Sequence, residues 1–571
     1  MIINDKDLIM GIIIMECLFI MSLLYYKYNF NIRKSNKDNE NPQKVNSNEF
    51  GSSHFATKDD IKKNFSTWKF GKNSGAGGMV VAIDNNNYYI DTSSNHTLIV
   101  GSTGSGKTVS VIYPLIFNLA DNGESMIIND VKGEIYRTTY DYLKRKNYDI
   151  HIVNLRDTEN SSFWNPLTIA YEYYKENNIE KEIETVNDLS NAICEDVTSR
   201  DKYWQESSSS VLSALSLALI EDAKNKNQVH YTSIYNLLVE HGAKKCEDQN
   251  SLDKYFNDRP FGSIAKNLYA SGNFARGETR ATIFSILASK LRIFGDTGVS
   301  YVTSTSSFNI RDIGRKKTAI FLIVPDEKIS RHFIGGLFFN QLYQTLVEEA
   351  QKNTNGTLDI RVNFIIDEFC NTVKISELSK KLTVARSRKI RFYLVIQDYN
   401  QIQETYKEMA GTIKANAGNT VYLLTNDYNT AREISNRMGK YTIATTRTST
   451  SNRYGKADFN ISSDTSLTGR ELMTPDELMS IQVGDAIILR TRMQPIKTKF
   501  KQISDYPIKF NVTNRVVINN KDFHKLELFN LDLFRLEKEL DMATLDIPNL
   551  PKERKASPTK RKRKKIAPSD N

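Results

Sequence analysis

The sequence predicts an α/β fold with a parallel sheet, interrupted by an all-α segment, and three observations predict it. From Thr97 onward short apolar strands alternate with amphipathic helices. Between Leu167 and about Asp312 the strand patterns stop and helical spacing takes over. Residues Gly101 to Thr108 read G-S-T-G-S-G-K-T, set between the apolar run His96–Val100 and the helix-compatible stretch Val109–Ala120. Strand, glycine loop and helix start, in that order, make a phosphate-binding unit.

The chemistry of that loop follows from its residue types. Glycines let successive backbone N–H groups of Gly101, Ser102, Thr103, Gly104, Ser105 and Gly106 point into one concavity, where a phosphate sits. Lys107 reaches the β/γ oxygens as a point charge, and the Thr108 hydroxyl is placed to ligate Mg²⁺. The expected ligand is ATP with Mg²⁺.

The expected strands are Leu98–Val100, Met126–Asn129, Ile150–Val153, Ala319–Val324, Asn363–Ile366, Phe392–Ile396, Val421–Leu424 and Ala486–Leu489. Ahead of them, Gly71–Gly78 reads as a flexible turn, and Met79–Ile83 with Tyr88–Ile90 as a hairpin. Within the helical stretch, Tyr203–Asn225 places Val211, Leu212, Leu215, Leu219 and Ala223 near one face. Ala444–Ser466 is rich in Ser and Thr with little apolar content, and is expected to be a mobile loop.

A hydrolytic site needs carboxylates at the end of a second buried strand, and N-F-I-I-D-E (Asn363–Glu368) supplies them. Asp367 is the expected Mg²⁺ ligand and Glu368 the expected general base. Phe392–Ile396 leads into Gln397, an amide placed to sense the γ-phosphate or, equally, a harmless strand end. Arg386 and Arg388 lie between those two strands; one reaches a neighbouring subunit's nucleotide, or both sit on a solvated face. Asp130 and Lys132, in N-D-V-K-G-E (Asn129–Glu134), follow the strand after the loop's helix and fall near the nucleotide crevice.

Composition bounds the rest. Of the net charge of +10, residues 551–571 carry +7, from nine Lys/Arg against two acids, so only +3 remains for the other 550 positions. The body is therefore not a uniformly basic nucleic-acid binder. The tail is expected to be disordered, and either contacts DNA phosphates or anionic lipid, or merely solvates. Cys17, Cys194, Cys246 and Cys370 form no C-x-x-C pair, and the seven His show no ligand spacing, so neither a disulfide framework nor a transition-metal site is expected. Leu8–Tyr26 is a 19-residue apolar run broken only by Glu16. As a helix it spans about 28 Å, close to the hydrocarbon thickness. Lys27, Arg33, Lys34 and Lys37 follow it, so a single-pass anchor in the cell membrane with the bulk of the chain in the cytoplasm is expected.

H-T-L-I-V-G-S-T-G-S-G-K-T, N-D-V-K-G-E, F-W-N-P-L (Phe163–Leu167), F-I-I-D-E-F (Phe364–Phe369), A-R-S-R-K, V-I-Q-D (Val395–Asp398) and L-M-T-P-D-E-L (Leu472–Leu478) occur in this order. The set resembles the TraG/TraD-type coupling proteins of type IV secretion and conjugation, over residues 50–500, and G-S-S-H-F-A-T (Gly51–Thr57) is similar to that family's anchor-to-motor segment. The resemblance implies a RecA-like P-loop motor domain with an inserted all-α domain, anchored in the membrane and assembled as a homo-hexamer. It implies an ATPase that receives a relaxase bound to single-stranded DNA and feeds it to a type IV secretion channel. It also implies that Lys107 and Thr108 hold phosphate and Mg²⁺, that Asp367 and Glu368 form the acidic pair, that Gln397 senses the γ-phosphate and that Arg386 acts in trans. The implied division is a membrane anchor (1–30), a linker (31–55), the ATPase domain in two parts (56–170 and 311–510), the all-α insertion (171–310) and a C-terminal extension with the basic tail (511–571). Many relatives carry two membrane helices, whereas this chain offers one. A docking receptor that uses nucleotide only to stabilise its ring, and an FtsK-type double-stranded DNA pump, are the alternatives; the helical insertion and the single anchor oppose the second.

Overall fold

A computed structural model describes residues 10, 14–27, 43–45, 47–195, 201–242, 250–272, 278–371, 374–452, 459–507 and 526–545. The chain divides into two compact units, Met1–Trp164 with Ser306–Asp522, and Asn165–Thr305 with Phe523–Asn571.

The strands of the first unit, in chain order, are β1 (Gln43–Lys44), β2 (Ser66–Trp68), β3 (Met79–Asp84), β4 (Asn87–Asp91), β5 (Thr97–Gly101), β6 (Ser125–Asn129), β7 (Asp149–Asn154), β8 (Thr318–Ile323), β9 (Val362–Ile366), β10 (Ile390–Ile396), β11 (Asn419–Leu424), β12 (Lys440–Asn452), β13 (Phe459–Glu471), β14 (Asp485–Arg490) and β15 (Ile496–Lys499). Nine of them form one sheet in the order β15-β14-β11-β5-β10-β9-β6-β8-β7. From β11 to β7 all pairs are parallel, whereas β14 runs antiparallel to β11 and β15 antiparallel to β14. The parallel strands are near-continuous apolar runs because helices cover both faces. Leu98, Ile99 and Val100, or Phe364, Ile365 and Ile366, are all buried. All eight expected strands fall in this sheet.

Two local readings are corrected. The glycine-rich segment expected as a flexible turn is tied down at four backbone amides. Gly71 N donates to Asp121 Oδ2 (2.8 Å), Ser74 N to Asn122 Oδ1 (2.8 Å), Gly77 N to Glu124 Oε1 (2.9 Å) and Gly78 N to Asn118 Oδ1 (2.7 Å). It leads into the β3–β4 hairpin, which β2 extends to three strands. In its described residues the stretch Ala444–Ser466, expected as a mobile loop, is instead part of a long antiparallel pair, β12 with β13, in register from Lys440↔Glu471 to Asn452↔Phe459; residues 453–458 of the stretch lie outside the described residues. Its many threonines are β-branched and suit extended backbone even without an apolar face.

At the amino ends of the central strands lies a buried charge. Arg391, fully buried, donates through Nη2 to Glu124 Oε2 (2.6 Å) and through Nε to Asn363 Oδ1 (2.9 Å). Its Nη1 donates to the carbonyls of Gly77 and Ser93, both at 3.1 Å.

Among the described residues the second unit is helical throughout. Its helix Tyr203–Asp222 buries Ser208, Ser209 and every residue from Val211 to Ile220, so over that second half it is enclosed on every side and not amphipathic as the spacing suggested, while Tyr203, Glu206 and Glu221 near its ends are exposed. It also ends before Ala223, which caps it in extended conformation. The late helix Leu531–Leu545 belongs to this unit. Leu531 is fully buried, Arg535 Nη2 donates to Ser251 O (3.0 Å) and Lys224 pairs with Glu537.

Residues 14–27 are helical. Among the described residues no helix is long and apolar enough to cross a membrane, and residues 8, 9 and 11–13 of the expected anchor lie outside them. The basic tail lies outside them as well.

Arg391→Met removes the closer of two guanidinium partners of the Glu124 carboxylate and leaves Arg361 Nη1 at 3.3 Å from Oε1, so the cost is expected below the roughly 3–5 kcal/mol of leaving a buried charge unpaired. Chemical denaturation of that variant is expected to show the loss, and Glu124→Gln added to it to recover a part.

Candidate functional site

Parallel strands bring their carboxyl ends to one edge, and loops from β5, β6, β9 and β10 meet there. The loop after β5 is held at its start by Ser102 N, which donates to Leu424 O at the end of β11 (2.8 Å). Gly104 and Gly106 have φ of +80° and +84°, a left-handed backbone that glycine adopts without strain. Beyond the loop the chain winds as a π-helical turn, Thr108–Ile112, before the α-helix Tyr113–Asp121. Lys107 Nζ turns back into the loop's concavity, donating to Gly101 O (2.5 Å) and Ser102 O (3.1 Å). Burial lowers its pKa, against the pull of the Asp367 and Glu368 charges.

β10 lies between β5 and β9, so the acids reach the loop across one strand. Asp367 directly follows β9. Asn129 Nδ2 donates to its carbonyl (3.0 Å), and Glu368 N donates to its Oδ1 (3.2 Å). Burial, followed by the neighbouring Glu368 charge, pushes the Asp367 carboxyl up to about 6. Glu368 itself has φ of +50°, an uncommon conformation for a non-glycine residue and one that concentrates at functional sites. At the end of β10, Gln397 N donates to Gln401 Oε1 (2.9 Å), and Asp398 caps the helix Tyr399–Tyr406.

These pieces line one cavity of about 280 Å³. Ser102, Thr103, Gly104, Gly106, Lys107, Thr108, Lys132, Asp367, Glu368 and Gln397 are all on its wall. Gly101, Ser105 and Asp130 are not. Gly101 and Ser105 shape the loop from behind: a Cβ at Gly101 would come 2.5 Å from Ser105 Oγ. Asp130 is buried and accepts from Tyr136 N (2.7 Å), holding the start of the helix Glu134–Arg145; burial pushes its carboxyl up to about 6. Arg386 does not line this cavity. It sits before β10 and beside Asn95, at the sheet's amino edge.

Sequence reasoning passed over Glu134, Asn371 and Gln401, which also line the cavity. Gln401 lies in the first turn of the helix that Asp398 caps, and Asn371 in the turn that follows Asp367.

The residues suit a phosphate and a hard cation. A loop of left-handed glycines with a lysine folded into it is a phosphate cradle, and the Thr108 hydroxyl with the Asp367 carboxylate are oxygen donors of the kind Mg²⁺ takes. Among the described residues no cluster of three His, Cys, Asp or Glu could hold a metal unaided.

Fold and cavity together define a P-loop nucleotide-binding protein of the mixed α/β class. The family described as type IV secretory system conjugative DNA transfer matches residues 43–521, and the chain belongs to it. It is 24% identical over 437 residues to protein VirD4 of Rhizobium radiobacter, covering 74% of this chain and 59% of that protein. It is 24% identical over 405 residues to the conjugal transfer protein TraG of Escherichia coli, covering 67% of this chain and 61% of that protein. The chain thus spans about three fifths of the length of these relatives. Among solved structures, the unbound bacterial conjugative coupling protein TrwB superposes with a TM-score of 0.57 at 14% identity, over 82% of this chain and 96% of that one. TrwB in complex with ADP and Mg²⁺ superposes with a TM-score of 0.55 at 14% identity, over 82% and 98%. At such identity the likeness establishes the RecA-like fold.

The raised carboxyl of Asp367 makes a stability prediction. A buried acid whose pKa rises on folding opposes the fold once ionised, so its cost is absent below pH 4 and complete above about pH 6. Asp367→Asn is expected to raise the apo chain's unfolding free energy at pH 8 by on the order of 1–3 kcal/mol, seen as a higher unfolding midpoint, and to leave both unchanged near pH 4. Thermal unfolding across that range measures it.

Proposed function

We propose that this chain is an ATPase that couples ATP hydrolysis to the transfer of a relaxase-bound single strand of DNA into a type IV secretion channel. One observation carries the reading: in a member of the conjugative DNA-transfer family, a single cavity unites the phosphate loop, an Asp–Glu pair and a strand-end glutamine. The TrwB structures with ADP and Mg²⁺ and with a non-hydrolysable ATP analogue support the choice of ligand. A homo-hexameric ring, and a membrane anchor at Leu8–Tyr26 with the bulk of the chain in the cytoplasm, belong to the proposal.

Bound Mg²⁺–ATP supplies the transferable phosphoryl group and neutralises part of its charge. To meet it, Lys107 Nζ gives up the Gly101 and Ser102 carbonyls. Thr108 Oγ1 and the ionised Asp367 carboxylate would hold the cation. Glu368, held beside them by its left-handed backbone, accepts a proton from the attacking water. Gln397 closes the γ-phosphate side, its backbone steadied by Gln401. Arg386 has no part in its own subunit's cavity. It stands about 17 Å away, the length of the five-residue strand β5, and in this proposal it serves a nucleotide held by the next subunit.

Lys107→Ala is expected to abolish ATP hydrolysis and conjugative transfer while the chain still fractionates with membranes. Normal DNA transfer by that variant in a mating assay would sink the motor reading. Glu368→Gln is expected to keep ATP binding and lose turnover by about 10²-fold or more; a filter-binding assay beside a phosphate-release assay separates the two.

A further inference from the structure

Arg386 and Arg388 share one 3₁₀ turn, Arg386–Arg388, yet their guanidinium groups are placed differently. Arg388 curls onto its own turn, with Nη1 donating to Val384 O and Ser387 Oγ, each at 3.2 Å. Arg386 is exposed and projects away, with Nη2 donating to Asn95 Oδ1 at 2.9 Å.

That acceptor is half-buried and backed by two neighbouring segments. Asn95 N donates to Ser93 Oγ (3.4 Å), and its carboxamide lies against Gly418, where an added Cβ would come 2.7 Å from both Cγ and Oδ1. Gly418 is needed there because any side chain would displace the amide. The next residue, His96, is buried and spans two elements. Its Nδ1 accepts from Phe392 N (3.1 Å), which leaves Nε2 to donate to Leu382 O (2.7 Å). Burial drops its pKa to about 4, so that pattern holds at neutral pH. Leu382 lies in the helix Leu378–Ala385, which runs directly into the arginine turn. One dipeptide therefore fixes both the base from which Arg386 projects and the direction it takes.

We propose that Asn95 is a positioning residue: its carboxamide oxygen aims Arg386, and not Arg388, outward from the amino edge of the sheet toward a nucleotide held by an adjacent copy of this chain. This rests on the reading of the ring with nucleotide between subunits. An arginine released from Asn95 on an exposed turn spreads over many rotamers and meets the developing phosphate charge less often.

The test uses the full-length chain in detergent, with ATPase rates of single variants and of equimolar mixtures. Asn95→Ala, and independently Gly418→Ala, are expected to lower kcat about tenfold while KM for ATP moves by less than about twofold. Mixing either with Lys107→Ala subunits, whose own phosphate site is dead but whose Arg386 is correctly aimed, is expected to restore the rate several-fold. The same mixing is expected to rescue Arg386→Ala. A purely local role, in which Asn95 supports its own phosphate loop through β5, gives no rescue, because the defect stays in the subunit that binds ATP. Rescue of Arg386→Ala without rescue of Asn95→Ala or Gly418→Ala overturns the Asn95 assignment alone. Rescue of none of them overturns the trans reading and the assignment with it. Wild-type kcat in both Asn95→Ala and Gly418→Ala also overturns the assignment.

Discussion

Arg391 is a guanidinium with no access to water, and the first unit is arranged around its compensation. An isolated buried charge is far costlier than any single apolar contact is favourable, so every partner must be in place. Those partners come from four separate parts of the chain. Glu124 precedes β6, Asn363 lies in β9, Gly77 closes the glycine-rich segment and Ser93 precedes β5. Asn363 also donates to Glu124 (2.9 Å), which closes the network. Satisfying one side chain thereby sets β5, β6, β9 and β10 at a common level at their amino ends. In a parallel sheet, strands aligned at one edge are aligned at the other, and the other edge is the nucleotide cavity.

At that second edge the balance is reversed. The Lys107 amine is satisfied only by backbone carbonyls, Asp367 and Asp130 are carboxyls raised by burial, and Glu368 holds a backbone conformation that side chains disfavour. None of these stabilises the apo chain as an apolar residue would. Lys107 and Asp367 line the cavity itself, whereas Asp130 lies behind its wall and holds the start of the helix Glu134–Arg145. The amino edge gathers its charges into one buried polar network, whereas the carboxyl edge lines a cavity with them.

How far the sequence was legible depended on the range of the interaction that decides each feature. The phosphate loop and N-F-I-I-D-E could be read because strand, turn and acid are consecutive in the chain. Gly71–Gly78 could not, because Asp121, Asn118, Asn122 and Glu124, which immobilise it, arrive some 40 to 50 residues later. The β12–β13 pair escaped because its residues alternate too few apolar side chains for a period-two signal, and register is a property of two segments at once. Apolar spacing in Tyr203–Asp222 marked a helix, but serines on its remaining faces hid that Val211–Ile220 is enclosed all round. Gln401 and Asn371 went unnoticed because an amide becomes part of a site only by where it points.

By itself the sequence determined that the chain is an α/β P-loop protein with a helical insertion, because backbone conformation and burial at those points follow from neighbouring residues. It also determined the order of motifs that places the chain in the conjugative DNA-transfer family. Only the tertiary structure decided that β10 stands between the phosphate loop and the acids, which brings Gln397 to both. It alone decided that β14 and β15 turn antiparallel, that Asp130 lies behind the cavity wall, and that Arg386 belongs to the opposite edge. These are matters of which distant segments pair. Pairing is settled by the burial of whole faces and the satisfaction of buried charge, and neither exists until the chain has closed on itself.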